Sequence, residues 1–308
     1  MMFFFRFAIV LMLGGAVIPG SYADASADRP NVLVVVADDL GFSDIQPFGG
    51  EIRTPTLSRL ADAGLRLTNF HTHTMCTPTR AMLLTGINNH AAGIGTMAGE
   101  ARGAQKGAPG YEAYLRKDVP TIAALLEQAG YQTWVSGKWD LGGRNDPELL
   151  PHKRGFSRSF VLVEGSADFF REFPALAELD SINYRLDGQP VPVPEPFYIT
   201  DVYTDYALEF LGELEQDRPF FGYLTYTAPH YPLQAPEAFI DDYEGVFDEG
   251  YEAIRQARTK RMRDLGIIDV EAPVPASDLW PGWGDLSDTQ RGFETRRMEV
   301  YAAMVSAM

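Results

Sequence analysis

The chain has 308 residues, 45% of them hydrophobic and 12% aromatic, enough for a large core in one large domain or two smaller ones. Its formal net charge of −16 excludes nucleic acid as a partner, because phosphate binding needs a basic surface, and an anionic substrate would have to be drawn by local cations or a metal. The single cysteine, Cys76, excludes an internal disulfide and leaves that thiol free for another chemistry.

Residues 1–23 read as a signal peptide. Arg6 gives a positive start, Phe7 to Ile18 is apolar, and Ser21-Tyr22-Ala23 ends in a small residue. The apolar run is short for a membrane span, and a retained N-terminal anchor is the alternative. The chain is therefore expected to be exported, periplasmic or secreted, without stable membrane insertion. Asn31 to Val36 is a continuous apolar, β-branched run that predicts a central strand of a parallel sheet covered on both faces. Asp38-Asp39 follow at its C-terminal end, where open α/β sheets bind ligands. Two adjacent carboxylates suit a hard divalent cation, and they equally suit a solvated turn. Thr54 to Gly64 predicts a short helix, capped by Thr54, opened by Pro55 and stopped by Gly64. Leu65 to Phe70 predicts a second strand. His71 and His73 follow, either as a metal pair or, more commonly for such spacing, as polar contacts.

Cys76-Thr77-Pro78-Thr79-Arg80 comes next, followed by Ala81-Met82-Leu83-Leu84-Thr85-Gly86. Pro78 suits the first turn of a helix, which places Cys76 at or just before the helix N-terminus, where N–H groups attract anions. Arg80, four residues on, lies on the same face and can reach back to Cys76. A lone cysteine is usually a small buried hydrophobe, but the polar, threonine-rich setting beside Arg80 argues for chemistry. The stretch resembles the sulfatase signature C-x-P-x-R followed by apolar-apolar-T-G. In that family the cysteine is oxidised to formylglycine by a formylglycine-generating or sulfatase-maturing enzyme, and its hydrated aldehyde is the nucleophile. The run from Arg29 through Asp38-Asp39-Leu40-Gly41 resembles the family's N-terminal strand. The resemblance implies that Asp38, Asp39 and residue 76 hold a divalent metal, Ca²⁺ ahead of Mg²⁺.

Residues 87–118 are rich in glycine and alanine and predict a long loop near the site, with His90 in a loop hydrogen bond. Val119 to Ala129 predicts an amphipathic helix capped by Gly130. Tyr131 to Ser136 predicts a strand ending at Gly137-Lys138-Trp139-Asp140-Leu141-Gly142. This resembles the second sulfatase signature, G-Y-x-T-x-x-x-G-K-W-H-L-G, and implies that Lys138 binds the sulfate and the formylglycine hydroxyl. One position departs from it: Asp140 stands where the family has a histidine that hydrogen-bonds the formylglycine diol. Aspartate adds repulsion toward an anionic ester. Arg154-Gly155-Phe156 resembles a further family landmark, with His152 structural beside it.

Residues 163–200 show no clear periodicity and predict a surface excursion. Thr200 to Leu214 predicts a helix and Arg218 to Tyr226 a core strand. Ala228-Pro229-His230-Tyr231-Pro232-Leu233 resembles the family's A-P-H-x-P-L. His230 would protonate the leaving oxygen as the ester bond breaks, a role for a group titrating near neutrality. Residues 241–299 are charged, with Trp280-Pro281-Gly282-Trp283 as aromatic punctuation and a surface helix over Tyr251 to Leu265. Arg296 to Met308 predicts the start of another helix.

The resemblance covers nearly all of residues 29–308. It implies an alkaline-phosphatase-like α/β/α sandwich with a mostly parallel central sheet, in which 24–308 is the N-terminal part of the catalytic domain. The family's later strand, with its further Asp-Asn metal ligands and second lysine, is not matched, so the fold is expected to be incomplete at the C-terminus. The implied function is hydrolysis of sulfate esters, small-molecule or glycan, of the arylsulfatase type. Two alternatives stay open: a phosphodiesterase or phosphonate monoester hydrolase of the same superfamily, and an inactive sulfatase-like binding protein.

Overall fold

Four parallel strands carry the chain's chemistry to one edge of a sheet. The computed structural model describes residues 29–175, 179–274 and 281–308. The expected signal peptide, residues 1–23, and Trp280 lie outside them. The strands are β1 (Val32–Val36), β2 (Gln132–Lys138), β3 (Arg158–Leu162), β4 (Tyr184–Leu186), β5 (Gln189–Pro190) and β6 (Phe220–Thr225), in the order β1-β6-β2-β3-β4-β5. β1, β6, β2 and β3 run parallel, whereas β4 and β5 add antiparallel at the far edge.

Alternation along the strands sends side chains to two cores. Trp134, Phe160, Leu162 and Leu224 pack with Tyr203, Ala207 and Phe210 of helix α4 (Ile199–Gly212) and with Ala302 to Val305 of α7 (Asp288–Ala307). Val135, Val161, Phe221 and Tyr223 pack with Ala81 and Leu84 of α2 (Cys76–Thr85) and Ala123 of α3 (Ile122–Gln128). The result is an α/β/α sandwich, as the sulfatase resemblance implies. Three more helices, α1 (Pro55–Ala63), α5 (Glu237–Asp241) and α6 (Gly250–Asp264), lie among the described residues.

Several local expectations are corrected. β1 is an edge strand: Val32, Val34 and Val36 pack on the α2 side, but Leu33 and Val35 on the other face are 49% and 54% exposed. An apolar run signals a strand that can be covered on both faces, not that it is. Leu65 to Phe70 forms no strand, and Leu65, Leu67 and Phe70 are 89%, 58% and 64% exposed. Thr54 does not cap α1; its hydroxyl accepts from the Gln46 N–H at 3.0 Å while its own N–H donates to Gln46 Oε1 at 2.8 Å. The region 163–200 is no surface excursion, because Phe169, Tyr184, Val193, Phe197 and Tyr198 are core residues and β4 extends the sheet. α7 starts eight residues before Arg296, at Asp288, where Ser287 and Gln290 form a reciprocal capping box. That S-x-x-Q signal was legible. Arg154-Gly155-Phe156 seats the start of α3: Thr121 caps it and donates to the Arg154 carbonyl, and Phe156 is buried.

Candidate active site

The topology decides which residues meet. β1, β6 and β2 are adjacent and parallel, so their C-terminal ends share one edge, with Val36 and Gly137 both in register with Thr225. Asp38 follows β1, Lys138 ends β2 and His230 follows β6. Gly137 has φ +124°, and a Cβ there would lie 1.8 Å from the Thr225 carbonyl oxygen. Only glycine lets β2 approach β6 this closely at the site.

Cys76 is the first residue of α2, following Met75 in extended conformation. No side chain caps the helix. Instead the Met75 N–H donates to His73 Nδ1 at 3.1 Å, and Thr79 Oγ1 donates to the His73 carbonyl at 3.0 Å. His73 therefore shapes the loop. His71 bonds Asn69 and His90 bonds Tyr111, as polar contacts. The Cys76 Sγ lies 3.6 Å from Asp140 Oδ2 and 3.9 Å from Met97 Sδ. The Thr77 hydroxyl donates to the same Asp140 oxygen at 2.6 Å. Asp140 sits at φ +55°, a left-handed backbone uncommon outside glycine.

Lys138 is fully buried and makes a 2.6 Å ion pair with Asp38 Oδ2 and a 3.6 Å pair with Asp140 Oδ2. Arg80 is buried as well. It does not turn back onto Cys76, as its spacing suggests, but crosses to the strand ends. Its Nη1 donates to the Lys138 carbonyl at 3.0 Å and to Thr225 Oγ1, and its Nη2 lies 3.5 Å from Asp38 Oδ1. Burial alone would raise the Asp38 pKa, yet Arg80 and Lys138 outweigh it and hold the carboxylate below its usual range. Burial works against charge on Lys138 too, and Asp140 and Asp38 overturn it, so Lys138 stays a cation with a raised pKa. Burial pushes the Cys76 thiol up; Lys138 opposes this, and Asp140 and Asp38 add to it.

The tandem carboxylates split. Asp38 is buried against the cations. Asp39 is largely exposed, has φ +62°, and faces His230 Nε2 at 3.5 Å. His230 Nδ1 donates to the Tyr231 carbonyl at 2.6 Å, which leaves Nε2 turned toward Asp39. The sequence missed Thr77, Met97 and Thr225. Thr77 stands inside the C-T-P-T-R motif and had a signal; Met97, in a loop, and Thr225, at a strand end, had none.

The chain is similar along nearly its whole described length to known proteins. The family model described as Sulfatase matches residues 30–307. This chain belongs to the sulfatase family. It is 43% identical over 297 residues to an uncharacterized sulfatase of Schizosaccharomyces pombe, covering 92% of this chain and 53% of the yeast protein. It is 37% identical over 303 residues to an arylsulfatase of Klebsiella aerogenes, covering 98% of this chain and 63% of that one. The solved structure of Ps i-CgsB in complex with k-i-k-neocarrahexaose superposes with a TM-score of 0.58 at 28% identity, over 78% of this chain and 53% of that one. The sulfatase chain thus spans between half and two thirds of the length of these relatives.

Sulfatases generally work with formylglycine and a divalent metal. Asp38 and Asp39 offer hard oxygen donors of the right chemistry. The count does not fit: Asp38 is held by two cations, and no group of three or more His, Cys, Asp or Glu able to hold a metal occurs among the described residues. Ca²⁺ takes six to eight oxygen ligands. Calorimetry with Ca²⁺ on these 308 residues is therefore expected to show no micromolar binding. A micromolar isotherm would mean that ligands besides these two carboxylates are at hand.

Proposed function

We propose that residues 24–308 form part of a catalytic domain that hydrolyses sulfate esters of the arylsulfatase type through a formylglycine made from Cys76. One observation carries the reading: a lone thiol at a helix N-terminus faces a cluster of Asp140, Lys138, Arg80 and Asp38 gathered from separate elements. Structural ion-pair networks also perturb pKa values, but they rarely surround a nucleophile at an anion-attracting helix end.

As a hydrated aldehyde, residue 76 supplies two geminal hydroxyls, one to attack sulfur and one to expel sulfate. The rest falls to side chains. Lys138 and Arg80 bring fixed positive charge to the anionic ester, in a buried setting where charge acts more strongly than in water. Lys138 also pairs with Asp140, the carboxylate 3.6 Å from the Cys76 sulfur. His230, with Nδ1 tied to the Tyr231 carbonyl, presents Nε2 to give a proton to the departing alcohol oxygen. Asp38 keeps both cations in place. It would offer Ca²⁺, ahead of Mg²⁺, one oxygen and Asp39 another, with further ligands needed. The family's maturing enzyme would be a partner, and the leader read over 1–23 would send the chain to the periplasm or outside the cell. No helix among the described residues is long and apolar enough to cross a membrane.

The test compares hydrolysis of an aryl sulfate with that of an aryl phosphodiester by the matured protein. Faster turnover of the sulfate supports the reading, and preference for the phosphodiester points to the phosphodiesterase or phosphonate monoester hydrolase branch. Asp140 carries a separate prediction. Its carboxylate stands 3.6 Å from the Cys76 sulfur, where it repels an incoming sulfate. Asp140→His is expected to raise kcat on the aryl sulfate about a hundredfold, the low end of the range of one positioned acid–base group. An unchanged kcat would mean that Thr77, bonded to Asp140, already offsets the charge.

A further inference from the structure

One carboxylate outside the charged cluster collects bonds from three separate elements. Asp44 lies in the turn that follows β1. Its Oδ2 accepts from the Gly41 N–H at 2.8 Å and from the Tyr301 hydroxyl of α7 at 2.5 Å. Its Oδ1 accepts from Arg258 of α6 at 2.5 Å, and its own N–H donates to the Gly41 carbonyl at 3.1 Å. Arg258 is fixed in turn by a two-pronged bond to Glu51. The Tyr301 hydroxyl also lies 3.4 Å from the Gly41 nitrogen and 3.5 Å from the Asp39 carbonyl oxygen.

The bonds that Tyr301 and Asp44 make to backbone fall on residues 39–44. The turn is tight: a Cβ on Gly41 would lie 2.4 Å from Asp44 Oδ2, and one on Gly50 would lie 2.0 Å from the Asp44 carbonyl oxygen. Arg258 and Arg261 offset the charges of Asp44 and Glu51, so the knot is a neutral anchor and not an ion site. The segment it anchors begins at Asp39, whose left-handed backbone persists only when its surroundings impose it. Asp39 is the carboxylate that faces His230.

We propose that Asp44, Tyr301 and Arg258 are positioning residues that hold the turn at Asp39 and so fix the place of its carboxylate at the site. The proposal rests on the reading that His230 and Asp39 belong to an active site. Tyr301→Phe removes one hydroxyl and keeps the ring in the wall of the cavity it lines with Phe247, Ile254 and Met298. The variant is expected to lose about tenfold in kcat on an aryl sulfate, the scale seen when outer partners of a site residue are removed. KM and the thermal midpoint should stay in place, and amide exchange at Gly41 should quicken. In an Asp39→Asn background the same change should add no further loss, because the two act in series. Full kcat in Tyr301→Phe, or an equal loss in both backgrounds, overturns the proposal. If the matured protein turns over no sulfate ester, the functional reading fails separately. Exchange at Gly41 then decides alone: faster exchange supports the anchor and unchanged exchange overturns it.

Discussion

Replacing Cys76 by alanine is expected to abolish sulfate ester hydrolysis, by roughly the 10⁶-fold that deleting a nucleophile removes from other covalent hydrolases. The thiol itself is not the attacking group in this reading. Burial raises its pKa and Asp140 beside it does the same, with Lys138 only in partial opposition. Such a thiol is protonated near neutrality and is a weak nucleophile. The intact mass of the exported chain should show the sulfur and two hydrogens of Cys76 exchanged for one oxygen. Cys76→Ser separates the two half-reactions. A serine hydroxyl can attack sulfur, but its sulfate ester has no geminal hydroxyl to expel sulfate. It should therefore release a single equivalent of alcohol and keep the sulfate on the protein. Steady turnover by Cys76→Ser, or by wild-type chain whose mass shows an unmodified thiol, would remove formylglycine from the account.

Lys138→Met is expected to weaken both catalysis and stability. Lys138 is fully buried between Asp38 and Asp140. Removing one positioned charge stabiliser lowers kcat about 10²- to 10³-fold. Leaving a buried carboxylate without its partner destabilises by about 3–5 kcal/mol. The pH dependence gives a check of sign. In the wild type the folded-state pKa of Asp38 is depressed, because Arg80 and Lys138 outweigh the desolvation of burial. A depressed carboxylate contributes stability that is present above its unfolded pKa of about 3.9 and lost as pH falls through the folded value. The wild type should keep this contribution from pH 7 to pH 5. In Lys138→Met, Arg80 and His230 still oppose burial but Lys138 does not, so the Asp38 pKa is depressed less and the thermal midpoint should lose less than that of the wild type as pH falls below about 3.9. A loss below about pH 3.9 as large as that of the wild type would mean that Lys138 does not set the Asp38 pKa.

Local chemistry was readable along the chain. Cys76, Pro78 and Arg80 announced a helix N-terminus, and α2 begins at Cys76. The run into Asp38-Asp39, the strand ending at Lys138 and the strand before His230 each pointed to a loaded strand end, because each short apolar or aromatic stretch runs straight into charged or polar residues. The α/β/α layering was implied by the resemblance of the motifs to the sulfatase signatures. What tertiary structure alone decided was adjacency and direction. The order β1-β6-β2 puts three strand ends side by side, and no local pattern encodes that order. The split of Asp38 inward to Lys138 and Asp39 outward to His230 comes at one left-handed residue, Asp39, in a turn whose Asp44 is bonded by α6 and α7 from more than two hundred positions away. The crossing of Arg80 to Thr225, and not back to Cys76, likewise depends on where β6 lies. A side chain's identity limits which bonds it can make, but the partner that comes within reach is set by long-range packing, which a periodicity of two or of 3.6 residues does not carry.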